Sequence, residues 1–233
     1  MILIASNPFI SSYAESDWFG KGIFLGLFIL SAVCWTLVIY KSWQFWAVGK
    51  LSEQFSEQFA EKKDDPLNLH FQRPTLSRIG ELPHPLFDIY RTVKQQTLLL
   101  ISRNQDTGLS EADMQLIESG VFAAISLSSK KLEKHLFILP MIVTLAPFLG
   151  LLGTVWGILL TFAQLQAGAH AGNAAMLSGL SMALATTVLG LLVAIPALIG
   201  YSYLKNSSKE TRRDMEGFSY CLLSAIEMQH RRE

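Results

Sequence analysis

Two threonines, Thr154 and Thr187, stand deep inside long apolar stretches of this chain, where a hydroxyl finds few partners. Residues 148–161 read FLGLLGTVWGILLT, and across them Pro147, Gly150, Thr154, Gly157 and Thr161 recur at alternating spacings of three and four. That spacing sets all five on one stripe of a helix. Further along, Gly179, Ala183, Thr187, Gly190, Ala194 and Ala197 form a second stripe of small residues around one hydroxyl. Thr186 lies on the adjacent face, Ser178 and Ser181 toward one end, and Pro196 in the other half. A threonine hydroxyl can donate to an anion or accept from an acid, and in lipid it must face protein or water rather than hydrocarbon. The chemistry on offer is that of a helix stripe facing protein or a pore, with Thr154 and Thr187 at its centre and Thr161, Thr186 and Ser178 as accessory polar groups. The alternative is plain packing: each hydroxyl bonds the carbonyl one turn back, while Gly150, Gly153, Gly157, Gly179, Ala183 and Gly190 let helices approach closely. Two matching stripes could also leave room for a central guest helix or for water.

The elements that carry these residues are apolar runs of membrane length. Gly22–Tyr40, Leu136–Leu165 and Ala174–Leu204 hold no Asp, Glu, Lys or Arg, and about 20 residues cross a bilayer core. The expected fold is an all-α polytopic membrane protein with three transmembrane helices, two of them extended into a cytoplasmic helical bundle. The N-terminus has no basic stretch ahead of the first run, and Glu15 and Asp17 precede it; a retained helix is expected rather than a cleaved leader. Lys and Arg number one in 1–21, twelve in 41–135, none in 166–173 and six in 205–233. Basic residues favour the cytoplasmic side. The expected layout is therefore a periplasmic 1–21, a first span at 22–40, a cytoplasmic 41–135, a second span at 136–165, a periplasmic link at 166–173, a third span at 174–204 and a cytoplasmic 205–233.

The inside segments read as helices. Leu51, Phe55 and Phe59 continue the first span to about Ala60. Residues 66–83 are rich in proline and polar residues and read as a loop. His84–Ser102 reads as a helix with Pro85 at its first position, closed by Asp106-Thr107-Gly108. Ser110 and Asp113 have the spacing of a capping box. From there an apolar face runs into the second span, which, if unbroken, gives one helix from Glu111 to Leu165, with Pro140 and Pro147 as points of bending. Lys205–His230 continues the third span, with Met215, Phe218, Leu222 and Ile226 on one face.

Several classes of function find no support. The formal net charge is zero and no basic cluster is interleaved with aromatics, which argues against nucleic acid as a partner. Cys34 and Cys221 read as unpaired reduced thiols, and no Cys/His cluster has metal-ligand spacing. His70, His84, His135, His170 and His230 are scattered. There is no phosphate-binding glycine loop and no nucleophile elbow. Neither a catalytic residue nor a cofactor is expected, and the energy for any work must come from elsewhere.

GLLGTVWGI at 150–158 and SMALATTVLGLLVAIPALIGY at 181–201 resemble the TolQ/ExbB/MotA family of proton-channel subunits, on its TolQ and ExbB side. The resemblance implies an inner-membrane homo-pentamer around the helices of a two-copy TolR/ExbD-like partner with a membrane-buried Asp. It implies that ion flow turns ring against core and so drives a TolA/TonB-like envelope protein. Thr154 and Thr187 match the family's threonines facing that Asp. One place departs: the family usually carries a glutamate where this chain, reading GLSMAL at 179–184, has Met182. The acid must then come from the partner. A passive membrane scaffold without ion conduction is the competing reading; a self-contained transporter is disfavoured by the absence of internal repeats.

Overall fold

The computed structural model describes residues 8–61, 83–104, 108–166 and 173–230. Among the described residues six helices follow one another: α1 Pro8–Glu15, α2 Trp18–Glu61, α3 Pro85–Arg103, α4 Glu111–Glu133, α5 Ile138–Gln166 and α6 Asn173–His230. Three stretches, within Trp18–Ala60, Glu111–Gln166 and Met176–Gln229, are long and apolar enough to cross a membrane, each with a mean hydropathy of at least 2.3 over its best window. Helices are what such a sequence must form in lipid, because only they satisfy every backbone N–H and C=O within the segment.

The chain divides into two compact units. The first comprises Met1–Tyr40 and His135–Tyr203. Its interior is made by Ile23, Phe24, Leu27 and Cys34 of α2, Leu139, Ile142 and Ala146 of α5, and Met182, Ala183, Val193, Ala194 and Ala197 of α6. Its exterior is just as apolar: Phe28, Leu151, Phe162, Leu184 and Ile199 are all more than half exposed. A surface of that kind belongs against hydrocarbon or another protein, not water. The helix α1 was not anticipated from the sequence, where 1–21 read only as a segment leading to the first span. Ser12 on α1 meets Ser181 on α6 through a 2.8 Å hydroxyl–hydroxyl bond.

The second unit comprises Lys41–Lys134 and Leu204–Glu233. Phe55, wholly buried, is the centre of a ring cluster that meets His84, Tyr90 and Phe218 edge-on at 5.5–5.9 Å between centroids. Phe59 adds to the same cluster through Phe218. Edge-to-face pairing of this kind fixes rings more firmly than area burial alone. The Nδ1 of His84 accepts the Phe87 N–H and caps α3, with Pro85 in its first turn. Of the loop expected at 66–83, residues 66–82 lie outside the described residues, as do Asp106 and Thr107.

The single helix from Glu111 to Leu165 is not what forms: it is broken at Lys134–Phe137. Pro140 has no N–H to give the carbonyl of Leu136, and its ring would strike that carbonyl in a regular helix. The chain instead takes His135 to φ 70° and restarts α5 with turn bonds from Ile138 N to His135 O and Leu139 N to Leu136 O. The break leaves the Leu132 carbonyl without its helical donor. Lys41, 3% exposed, fills that gap with a 2.9 Å bond from Nζ, which also donates to Gln44 Oε1. Pro147 and Pro196, by contrast, sit inside helices that continue through them.

The Ser110–Asp113 capping box forms with both of its reciprocal bonds. The Ser110 hydroxyl and backbone N–H, with the Asn104 amide, hold the Asp113 carboxyl below the usual carboxylate range. A lowered folded value means the box stabilises α4 in full above about pH 4, and that this is lost as pH falls through the folded value. Ser110→Ala should cost about 1 kcal/mol. Hydrogen exchange of the first turn of α4, corrected for intrinsic rates, checks both: protection should drop in Ser110→Ala at neutral pH and fade in the unaltered chain on acidification.

Candidate functional site

The two small-residue stripes meet. Gly150, Gly153 and Gly157 of α5 are buried against Gly179, Ala183, Thr186, Thr187 and Gly190 of α6. A methyl group on Gly157 would lie 2.7 Å from the carbonyl oxygen of Gly179, and one on Gly190 would lie 2.6 Å from that of Ala146. The backbones are therefore closer than any side chain would allow, which is how helices gain dispersion contacts where no hydrophobic force drives them together. Gly153 leaves the space that the Thr186 side chain fills, and Gly179 the space beside Thr161.

The hydroxyls at this seam fall into two groups. Thr186 is wholly buried, and its Oγ1 lies 2.9 Å from the Ala183 carbonyl and 3.1 Å from that of Met182. Thr161 likewise donates back to Gly157 O at 2.9 Å. These two are satisfied inside the protomer. Thr187 and Thr154 differ because each is only half-buried, at the flank of the seam. Thr187 crosses the seam to donate to Gly150 O at 3.2 Å, and Thr154 donates to Leu151 O at 2.7 Å on its own helix. A threonine oxygen used as a donor keeps its acceptor capacity, so both can still accept a hydrogen bond from an acid. Pro196 is half-buried farther along α6.

The end of the seam near the start of α6 is polar. Asp17, between α1 and α2, accepts the Gly20 N–H at 2.9 Å through one oxygen and the Trp156 indole N–H at 3.1 Å through the other. Trp156 also packs on Phe19, with centroids 4.5 Å apart. Beside this link lies a cavity of about 450 Å³ whose walls include Glu15, Asp17, Gln164, Ser178 and Met182. Met182 is 2% exposed and presses its sulfur toward Gly20. Among the described residues no group of three or more His, Cys, Asp and Glu is placed to hold a metal ion.

Residues 91–217 of the chain match the MotA/TolQ/ExbB proton channel family. The chain belongs to this family. Its relatives include the biopolymer transport protein ExbB of Aquifex aeolicus (strain VF5), 42% identical over 87 residues, which are 37% of this chain and 59% of the relative. The ExbB of Pseudomonas putida is 28% identical over 195 residues, 84% of this chain and 56% of the relative. The Tol-Pal system protein TolQ of Pseudomonas aeruginosa is 28% identical over 181 residues, 77% of this chain and 75% of the relative. The matches to the two ExbB proteins thus span less than two thirds of those relatives' length. Family membership together with three apolar helices makes this a multi-pass inner-membrane protein.

The sequence pointed to the seam, but not to the Asp17–Trp156 link or the cavity beside it. Asp17 read only as a charge ahead of the first span, and Trp156 as one more apolar member of its block. The readable signal was Asp17 three residues before Gly20, a capping spacing. Nothing in the sequence tied it to a residue 139 positions later.

Proposed function

We propose that this chain is the ring-forming subunit of an inner-membrane, ion-driven motor of the Tol-Pal or TonB-ExbB-ExbD type. Five copies surround a two-copy TolR/ExbD-like partner whose single spans carry a buried Asp. Ion flow past that Asp turns the core and does work on a TolA/TonB-like envelope protein. The N-terminus is periplasmic and the C-terminus cytoplasmic, in keeping with the distribution of Lys and Arg. Protons are the coupling ion favoured by the family description.

The observation that carries this reading is the pair of half-buried threonines, Thr154 and Thr187, in apolar spans (136–165 and 174–204) with no acid of their own. A charged carboxylate in lipid is costly, so it seeks donors or becomes neutral. With the partner's Asp ionised, the Thr154 and Thr187 hydroxyls of one subunit turn from the Leu151 and Gly150 carbonyls and donate to it. Once protonated, it is held more weakly and passes to the next subunit. A proton crossing the potential releases about 2.3 kcal/mol per 100 mV, enough to bias a step between packings of nearly equal energy.

The test is flux in vesicles holding this chain and its partner. Proton uptake should follow an imposed potential and cease when the partner's Asp becomes Asn. An intact complex with no flux at any potential would leave a passive scaffold as the correct description.

A further inference from the structure

Thr144 lies outside the threonine pair, on the same flank of α5 as Thr154. Thr144, Pro147, Leu151, Thr154, Ile158 and Thr161 recur at alternating spacings of three and four, and none of them is buried within the protomer. A repeat of 3.5 residues makes a nearly straight track along a helix. Because Gly150 meets Thr187 and Gly190 meets Ala146, α5 toward its His135 end runs beside α6 toward Tyr201. Over that half, residues 136–153 and 188–200 hold one side chain with an oxygen or nitrogen, that of Thr144. It stands ten residues, about 15 Å, from Thr154, between that residue and the helix break at Lys134–Phe137. Thr144 is exposed, and its hydroxyl donates to the carbonyls of Pro140 and Met141 at 3.2 and 3.0 Å. Its oxygen keeps acceptor capacity. Pro147, inside the helix, has no N–H to give the Val143 carbonyl, so the same stretch offers a backbone acceptor as well.

We infer that Thr144 is a positioning residue of the ion path: its oxygen accepts from water and anchors the water chain that joins the Thr154–Thr187 site to bulk water at the His135 end. Water persists among apolar side chains only where polar groups hold it, and on this half of α5 and α6 no other side chain can. A proton that leaves the partner's Asp for the nearest water restores the carboxylate, and the chain passes the charge on. The inference rests on the ion-driven reading proposed above and names how the ion travels on one side of it.

Thr36 is the comparison. It too is exposed in an apolar span and donates to a carbonyl one turn back, Ala32 O at 2.7 Å, but it stands on α2 rather than on the α5 track. In vesicles holding the full chain and its partner, Thr144→Val should lower proton flux about fivefold, one hydrogen bond's worth of barrier. The oligomer should be unchanged, Thr144→Ser should restore the flux, and Thr36→Val should conduct normally. Water at the position is read separately, by thiol reactivity in the assembled complex. In a Cys221→Ser background the remaining native thiol, Cys34, is buried. There Thr144→Cys should react with a charged, water-soluble methanethiosulfonate, and Thr36→Cys should not, because reaction needs a hydrated thiolate. Undiminished flux in Thr144→Val, failure of serine to restore it, or a Thr144→Cys as unreactive as Thr36→Cys would overturn the water anchor and leave the motor standing. No flux from the unaltered complex would overturn both.

Discussion

Valine at both Thr154 and Thr187 should cut ion flux at least tenfold while leaving the protein folded and assembled. Valine keeps the shape of threonine and removes only the hydroxyl, so packing at the seam is nearly unchanged. The structural loss is small at each position. Thr154 donates to a carbonyl one turn back on its own helix, and Thr187 donates to Gly150 O, with bonds between membrane helices worth about 0.6 kcal/mol on average. On the proposed mechanism the functional loss is large, because the partner's carboxylate then finds no hydroxyl to hold its charged form in lipid. Flux in reconstituted vesicles should fall at least tenfold, with the same oligomer by size-exclusion chromatography. Serine at both positions restores the hydroxyls and should restore most of the flux. Thr186→Val is the matched control: its hydroxyl is wholly buried and spent inside the protomer, on the Met182 and Ala183 carbonyls of its own helix and, at 3.5 Å, on that of Gly150. That variant should conduct normally. Full flux in the double valine variant would remove Thr154 and Thr187 from the mechanism.

The second large effect is structural. Alanine at both Gly157 and Gly190 should force α5 and α6 apart, since the new methyl groups would meet the backbone oxygens of Gly179 and Ala146 at 2.7 and 2.6 Å. Backbone cannot rotate away as a side-chain end can. Overpacking typically costs about 1–3 kcal/mol per site, and the sites lie at opposite ends of one seam, so the costs should add. Thermal unfolding in detergent, followed by loss of the monodisperse oligomer, measures this. Gly49→Ala and Gly217→Ala are the controls: a methyl there meets nothing within 4 Å. They should be neutral, or stabilising by up to about 1 kcal/mol through helix propensity. Equal melting of the seam pair and the control pair would show that α5 and α6 are not closely packed.

The seam was legible because small residues at helical spacing have one use among large apolar ones, and the motif around Thr154 is dense in them. The three spans were legible because a bilayer demands length and apolarity in one continuous segment. The capping box was legible because Ser110 and Asp113 act over three residues. What escaped has the opposite character. The break at His135 comes from Pro140, five residues later, acting backwards on a carbonyl. The helix α1 is short, and Ser12 finds its partner 169 residues away. Helical spacing set Thr187 on the small-residue stripe and Thr186 on the adjacent face, but it did not say which of the two is enclosed. Burial alone assigns Thr186 to the inside of the protomer and Thr187 to its flank.

The close meeting of Gly157 with Gly179 and of Gly190 with Ala146 has a mechanical corollary. Two rods in backbone-to-backbone register along their length have no slack between them and travel as a single stiff strut. In the proposed motor, the rearrangement that accompanies a turn must be taken up outside that strut, where Thr154 and Thr187 stand and where only side chains need yield.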